Sequence, residues 1–268
     1  MLLKNRVAIV TGAAGGMGKA ISLRFAAEGC DIVAADINIA GTDGTINEVK
    51  KLGRDGLSLQ ANITKSDQVK NMVEKTIEKF GRIDILVNSA GTLFAFTDEN
   101  DLGKKRSIGS ISEDEWDKLV EVNLKGCFLC CKYAAPYMME KRYGKIINFS
   151  TSGAVNPPAV APHYNSAKAG VLGLTYDMAC ELGPYNINVN AILPGPIRTS
   201  FYDKIVGSLS EEEKNVRFTM MCKNAPLQRI GTPEDIAGVA LFFASELSSY
   251  VTGVPLLVSG GIPLMPRL

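Results

Sequence analysis

The chain has 268 residues, 46% of them hydrophobic and 21% charged, which suits one large α/β domain or two small ones. Its 29 basic and 28 acidic residues leave a net charge of +1 with no basic block, so a nucleic-acid surface is not expected. No apolar run reaches the roughly 18 residues a membrane span needs, and a single histidine, His163, excludes a histidine-based metal site or triad.

Met1 to Arg6 runs directly into the β-branched stretch Val7 to Val10, which reads as a buried parallel strand. That leaves no room for a signal peptide, and a cytoplasmic protein is expected. Thr11-Gly12-Ala13-Ala14-Gly15-Gly16-Met17-Gly18 follows, then amphipathic Lys19 to Glu28, stopped by Gly29. Strand, glycine turn and helix in this order let a backbone approach a pyrophosphate, which the helix N-terminus then binds through free N–H groups. Gly12, Gly16, Met17 and Gly18 are assigned to that role. Asp31 to Asp36 is the second strand. Asp36 is placed to accept hydrogen bonds from the adenosine ribose hydroxyls and to repel a 2′-phosphate. No Arg or Lys in the glycine loop or directly after Asp36 offsets it, so NAD is expected rather than NADP.

A helix over Asn47 to Leu52 leads to a third strand, Leu57 to Ala61, closed by Asn62-Ile63-Thr64. Ser66-Asp67 is expected to cap a helix reaching Phe80, with Gly81 as its stop. Ile83 to Val87 is the fourth strand, followed by Asn88-Ser89-Ala90-Gly91. Three βα units in succession predict a parallel sheet with right-handed crossovers. Thr92 to Ser112 is irregular and the most charged stretch, either a flap at a strand's carboxyl end or a solvated insertion. A helix runs from Glu113 through Trp116, Asn123 and Lys125 toward Met139, with Trp116 expected in the core. Cys127, Cys130 and Cys131 lie in an apolar helical run and read as buried structural thiols, not a metal or redox pair.

Lys145 to Phe149 is the fifth strand, and Ser150-Thr151-Ser152-Gly153 follows it. Tyr164 and Lys168 come next, four residues apart and so on one helical face. A phenol of pKa about 10 exchanges protons poorly near neutrality. A cation at ~4 Å favours the phenolate by roughly 4 kcal/mol before desolvation, at an effective dielectric of about 20. That brings the phenol toward use as a general acid and base. The helix continues to Leu182 and stops at Gly183-Pro184. Ile187 to Ile192 is the sixth strand, followed by Pro194-Gly195-Pro196-Ile197-Arg198-Thr199. Residues from about 196 to 225 carry Phe201, Tyr202, Phe218, Met220 and Met221, a composition suited to a lid over an apolar pocket. Pro233 to Ala244 is a helix and Val254 to Val258 a seventh strand. No repeat or linker interrupts residues 1–268, so one domain is expected. Its architecture is α/β, a doubly wound, Rossmann-type parallel sheet of seven strands with helices on both faces.

In this order the features resemble the short-chain dehydrogenase/reductase family, and the resemblance covers essentially the whole chain. Thr11 to Gly18 is similar to its cofactor loop, and Asn88-Ser89-Ala90-Gly91 resembles its Asn-Asn-Ala-Gly. Asn123, Tyr164 and Lys168 fall where the family keeps its catalytic Asn, Tyr and Lys. Pro194-Gly195 to Thr199, with Ile197, resembles the segment that closes on the nicotinamide amide. Arg229 to Ala237 and Tyr250 to Gly253 resemble the C-terminal signature.

The resemblance implies hydride exchange between a nicotinamide and a secondary alcohol or ketone. Tyr164 would exchange the hydroxyl proton, and Lys168 would lower the tyrosine pKa and hold the nicotinamide ribose. Asn123 would support Lys168 through a water-linked relay. Cofactor contacts are implied at Asn62, Ile63, Asn88, Ala90 and Gly91, and a homo-oligomer, a tetramer, is implied as well. Ser89, Asn62 and Ser259 depart from the family's usual residues, although the Asn62 carbonyl could still accept the adenine amino group. The usual place of the catalytic serine is Thr151 here, flanked by Ser150 and Ser152, and Ser152 is the other candidate donor if the Pro157-Pro158 loop shifts the register by one residue. An NADPH-dependent ketone or 3-oxoacyl thioester reductase is the alternative. A silent dinucleotide sensor is opposed by the intact Asn123, Tyr164 and Lys168.

Overall fold

The structure, a computed structural model, describes residues 1–93, 107–157, 161–199, 210–222 and 225–262. Seven parallel strands form one sheet: β1 (Val7–Thr11), β2 (Asp31–Asp36), β3 (Gly56–Gln60), β4 (Ile85–Asn88), β5 (Gly144–Phe149), β6 (Ile187–Pro194) and β7 (Pro255–Val258). Their spatial order is β3-β2-β1-β4-β5-β6-β7. The chain therefore reverses direction between β1 and β4, whose carboxyl ends flank the crevice where doubly wound sheets take ligands.

The helices are α1 (Gly16–Ala27), α2 (Ile39–Lys51), α3 (Ser66–Phe80), α4 (Glu113–Val120), α5 (Gly126–Lys141), α6 (Pro162–Leu182), α7 (Glu211–Cys222) and α8 (Pro233–Ala244). Strand alternation divides the core into two layers. Ile9, Leu86, Ile146 and Val189 face α3, α5 and α6. Ala8, Val10, Ile85, Val87, Ile147 and Ile192 face α1, α2 and α8. Strands covered on both faces are mostly apolar, as in Val7–Val10 of β1 and Ile85–Val87 of β4, and the buried polar residues of β5, Lys145 and Asn148, are hydrogen-bonded to Asn188 and to Asn88 and Thr175. Each fully buried Ile or Leu contributes about 1.5–3 kcal/mol.

Several boundaries differ from the sequence expectation. Helix α2 starts at Ile39, eight residues early, capped by Asn38 through the Gly41 N–H. Gly41 and Gly44 lower helix propensity by about 1 kcal/mol each and hid that start. Ser66 opens α3 at its first helical position, behind Lys65, and no side chain caps the helix. Between α4 and α5 the helix widens into a π-turn over Glu121–Lys125. Trp116 is 38% exposed, because α4 buries Leu119 alone. Cys127, Cys130 and Cys131 are buried free thiols, and among the described residues no cluster could hold a metal. No helix among them is long and apolar enough to cross a membrane. Most of the charged 92–112 stretch and the Phe201-Tyr202 part of the 196–225 segment fall outside the described residues.

Candidate active site

The glycine loop leaves β1 with Gly12 at φ +70° and enters α1 with Gly16 at φ +52°. A Cβ on Gly12 would stand 2.9 Å from the Ala90 backbone, and one on Gly18 would run into the Gly12 carbonyl. The loop after β1 and the Asn88–Gly91 loop are therefore pressed together. Ser89 Oγ donates to the Thr11 carbonyl at 2.6 Å, and the Ala90 N–H donates to Thr11 Oγ1 at 3.2 Å. Ser89 thus stitches the two loops where a longer amide is usual. Helix α1 opens at Gly15 with no side-chain cap and no acidic residue in its first turn. Its free N–H groups suit an anion. Thr199 reaches over the loop, 3.6 Å from the Cβ position of Gly16. An open groove of about 320 Å³ lies between Gly16, Lys19, Arg198, Thr199 and Glu234.

Asp36 ends β2 with both oxygens engaged: Oδ2 accepts from the Ala14 N–H at 3.3 Å and Oδ1 from the Asn38 N–H at 3.0 Å. It forms no ion pair among the described residues. At the end of β3 the Asn62 Oδ1 accepts from the Thr64 N–H at 3.0 Å and the Thr64 hydroxyl at 2.9 Å. A carbonyl oxygen has two lone pairs, so these bonds use its capacity. The expected acceptor for an adenine amino group is spent locally, and the Asn62 amide nitrogen is the group left to a ligand. Ile63 is buried, its Cδ1 2.6 Å from where Gly126 would carry a Cβ, which leaves its main chain for a ligand.

Asn88 also differs from expectation. Its side chain turns into the core, where Nδ2 donates to Asn148 Oδ1 at 2.9 Å and to Cys131 Sγ at 3.2 Å. Asn148 in turn donates to Thr175 Oγ1 at 2.9 Å. The Asn88 amide ties β4 to β5 and α5 instead of facing the cleft, and Asn148 carries the chain of bonds on to α6. Asn88 Oδ1 is buried without a protein partner. Ile197 is buried as well and bridges to Gly231, so its side chain anchors the segment after β6. Met17 packs on the layer of α1, α2 and α8. Pro194 closes β6, and the Gly195 N–H donates to the Val258 carbonyl at 2.9 Å. A Cβ on Gly195 would stand 2.7 Å from Ser259 Cβ.

The catalytic candidates converge on the ends of β4 and β5. Asn123 lies in the π-turn, buried, and clamps Thr92 from both sides. Its Nδ2 donates to the Thr92 carbonyl at 2.7 Å, and its Oδ1 accepts from the Thr92 N–H at 3.1 Å. A Cβ on Gly91 would sit 2.8 Å from Asn123 Oδ1 and 3.1 Å from Lys168 Nζ, so only glycine lets these side chains meet there. Lys168 Nζ donates to the Phe149 carbonyl at 2.9 Å and stands 5.9 Å from the Tyr164 ring centroid. Burial pulls its pKa down to about 8, opposed in part by the Cys127 thiol. Tyr164 is half-buried on the same face of α6.

Of the three hydroxyls after β5, Ser150 is buried and donates to the Lys168 carbonyl at 2.7 Å, which removes it from substrate chemistry. Thr151 is half-buried and accepts from the Gly153 N–H at 3.3 Å, leaving its hydroxyl hydrogen to donate elsewhere. The Asn123–Thr92 clamp, the π-turn and the Phe149 carbonyl under Lys168 were not anticipated. Backbone acceptors carry no residue-type signal, and a helical period reads straight through one wide turn.

Residues 12–263 match the family model described as enoyl-(acyl carrier protein) reductase. The chain is 38% identical over 262 residues to 3-oxoacyl-(acyl-carrier-protein) reductase FabG of Thermotoga maritima, covering 98% of this chain and 99% of that one. It is 39% identical over 261 residues to BbsD, a subunit of a hydroxy(phenyl)methylsuccinyl-CoA dehydrogenase of Thauera aromatica, covering 97% and 98%. Among solved structures, levodione reductase superposes with a TM-score of 0.88 at 31% identity, covering 96% and 97% of the two chains. With the parallel sheet, the glycine loop and the convergence of Asn123, Tyr164 and Lys168, these likenesses make the chain a member of the short-chain dehydrogenase/reductase family of oxidoreductases.

Proposed function

We propose that the chain interconverts a secondary alcohol and a ketone with NAD(H), using Tyr164 as general acid and base. The observation that carries this is the position of Tyr164 one helical turn from a buried Lys168, which meets Gly91 and Asn123 at the end of β4. A bound nicotinamide dinucleotide supplies or accepts the hydride. Tyr164 takes the hydroxyl proton in oxidation and returns it to the carbonyl oxygen in reduction. Lys168 favours the phenolate and would hold the nicotinamide ribose. Thr151 donates a hydrogen bond to the substrate oxygen, and Asn123 supports Lys168 while fixing Thr92. Gly12, Gly16, Met17, Gly18, Ala90, Gly91, Pro194, Gly195 and Thr199 would hold the dinucleotide, with main-chain contacts from Ile63, Asn88 and Ile197. Asp36 would bind the adenosine ribose, and its carboxylate disfavours a 2′-phosphate.

A second reading is favoured by the relatives' names, which point to thioesters: a 3-oxoacyl group on a carrier protein and a hydroxylated succinyl-CoA. On it the ketone is a 3-oxoacyl thioester, reduced with NADPH. Substrate and cofactor are separable questions, and one experiment addresses both. Initial rates with simple ketones and with 3-oxoacyl thioesters, each measured with NADH and NADPH, should give the highest kcat/KM for a thioester with NADH. A preference for NADPH would overturn the Asp36 argument. A preference for simple ketones would overturn the thioester assignment.

We also infer one domain over residues 1–268 and a homotetramer. Phe128 on α5 and Tyr176 on α6 are each 44% exposed, and a second copy packed on these two helices would cover them. A tetramer mass by light scattering at micromolar concentration is expected; a monomer mass would contradict it.

A further inference from the structure

Thr45 lies in the middle of α2, fully buried, with two acceptors in reach. A hydroxyl inside a helix ordinarily donates to the carbonyl four residues back. Ser22, Thr76 and Thr175 do so at 2.8, 2.8 and 2.7 Å. Thr45 departs from that pattern. Its own i−4 carbonyl, Gly41, is 3.2 Å away, whereas the Ala13 carbonyl in the glycine loop is at 2.7 Å. One hydroxyl carries one hydrogen, and the nearer acceptor takes it.

The consequence falls on a single peptide unit. The carbonyl of the Ala13–Ala14 peptide is held by Thr45, and its N–H is held by Asp36 Oδ2 at 3.3 Å. The C=O and N–H of a trans peptide point in opposite directions, so two such bonds fix its plane. The other Asp36 oxygen accepts from Asn38, the cap of α2. Helix α2 can come this close because Gly41 has no side chain: a Cβ there would stand 2.6 Å from Ala14 Cβ. The helix, the loop and the carboxylate therefore form one clamp, and Thr45 is its buried member.

We infer that Thr45 is a positioning residue for the dinucleotide. It fixes the Ala13–Ala14 peptide, and with it the orientation of the Asp36 carboxylate, without itself reaching the cleft. The inference rests on the NAD(H) reading of the glycine loop and Asp36. Without the Thr45 donor, the Ala13 carbonyl is left unpaired, the peptide can rotate, and Asp36 loses its loop partner.

The test is fluorescence titration of the full chain with NADH and NADPH, for the parent, Thr45→Val and Thr45→Ser, alongside thermal midpoints and steady-state rates. Thr45→Val keeps shape and loses the donor. It should raise the NADH Kd about tenfold, the scale of one buried hydrogen bond left unmade. The loss should appear in the KM for NADH rather than in kcat, and the preference for NADH over NADPH should narrow. Thr45→Ser keeps the donor and should bind NADH within about twofold of the parent. A Val variant with parental NADH affinity overturns the inference, even if its thermal midpoint falls, because the residue is then only structural. A Ser variant as weak as Val overturns it too, since packing of the methyl group would be the cause. If the Val variant is not recovered folded, the Ser variant still decides: parental affinity supports the donor role, and a tenfold loss contradicts it. A parent that prefers NADPH overturns the NAD reading instead, and the Val and Ser comparison is then read with NADPH.

Discussion

Around the carboxyl ends of β1, β2 and β3 the chain works mainly with backbone. Gly12, Gly16 and Gly18 allow close approach, and Asp36 and Asn62 spend their oxygens on neighbouring N–H and hydroxyl groups. Around β4, β5 and α6 it works with buried side chains. Asn123 clamps Thr92, and Lys168 is held by the Phe149 carbonyl in a desolvated position. The first half is suited to hold a charged, extended molecule by many weak contacts. The second half is suited to set protonation, because burial makes each charge there matter. Substitutions in the two halves should therefore fail differently, as losses of affinity in one and of turnover in the other.

The largest expected effect that would blur this division is at Lys168, which on the proposed mechanism serves both tyrosine and ribose. Lys168→Met should lower kcat by about 10²–10⁴, the range for a disrupted acid–base group, and should weaken NADH binding as well. Its pH signature is specific. In the folded chain without dinucleotide Lys168 loses its proton near pH 8, and in the unfolded chain near the ordinary lysine value of 10.5. Between those values the unfolded state binds more protons, so this group's contribution makes stability rise with pH. Below pH 8 the cost of burying the charge is present in full. In denaturant titrations across pH 8–10.5 the stability of the parent relative to the Met variant should rise with pH, because the buried Cys30, Cys130, Cys131 and Tyr143, whose raised pKa values pull stability the other way, are common to both.

Thr151→Val should cost roughly 10²–10³ in kcat with NADH affinity unchanged, the scale of one lost oxyanion-type donor. Thr151→Ser should keep much of the activity, and Ser152→Ala should be mild. A crippled Ser152→Ala beside an active Thr151→Val would move the donor by one residue. In the other half, Asp36→Arg should invert the ratio of kcat/KM for NADH and NADPH, by about tenfold or more, with little change in kcat itself. The smallest effect lies at the frame that carries Ile197 and Thr199. Arg229 pairs with Asp235 at 2.6 and 2.8 Å, and its hydrogen bonds hold that carboxyl at about 2. This stabilisation is present above the ordinary carboxylate pKa and is lost as pH falls toward 2. The pair is half-exposed, so Arg229→Ala should lower the thermal midpoint at pH 7 by no more than about 3 °C.

The same division explains what the sequence made legible. Strands buried on both faces announce themselves as apolar runs, and all seven were recognisable within a few residues of their ends. The glycine loop, Asp36, Tyr164 and Lys168 stood out because the proposed chemistry asks for those residue types at those places. Directions were not legible. Asn88 falls at the right spacing yet turns into the core toward Asn148, and the Asn62 carbonyl is taken by Thr64. Neither outcome depends on residue type alone; each depends on which neighbour packs beneath. Ser150, Thr151 and Ser152 are three hydroxyls in a row, and it is the bond from Ser150 to the Lys168 carbonyl that removes Ser150 from the set. Helix α2 was half hidden by Gly41, a residue whose value lies in its contact with Ala14.

The most direct test of the account is one variant measured in two ways. Tyr164→Phe removes a single oxygen from the catalytic half and leaves the glycine loop, Asp36 and Lys168 in place. NADH affinity by fluorescence titration and turnover of the best ketone should be determined on the same preparation. The account predicts a parental Kd with turnover reduced at least a thousandfold, within the range of a lost general acid–base. Turnover close to the parent, or loss of NADH binding along with activity, would contradict it.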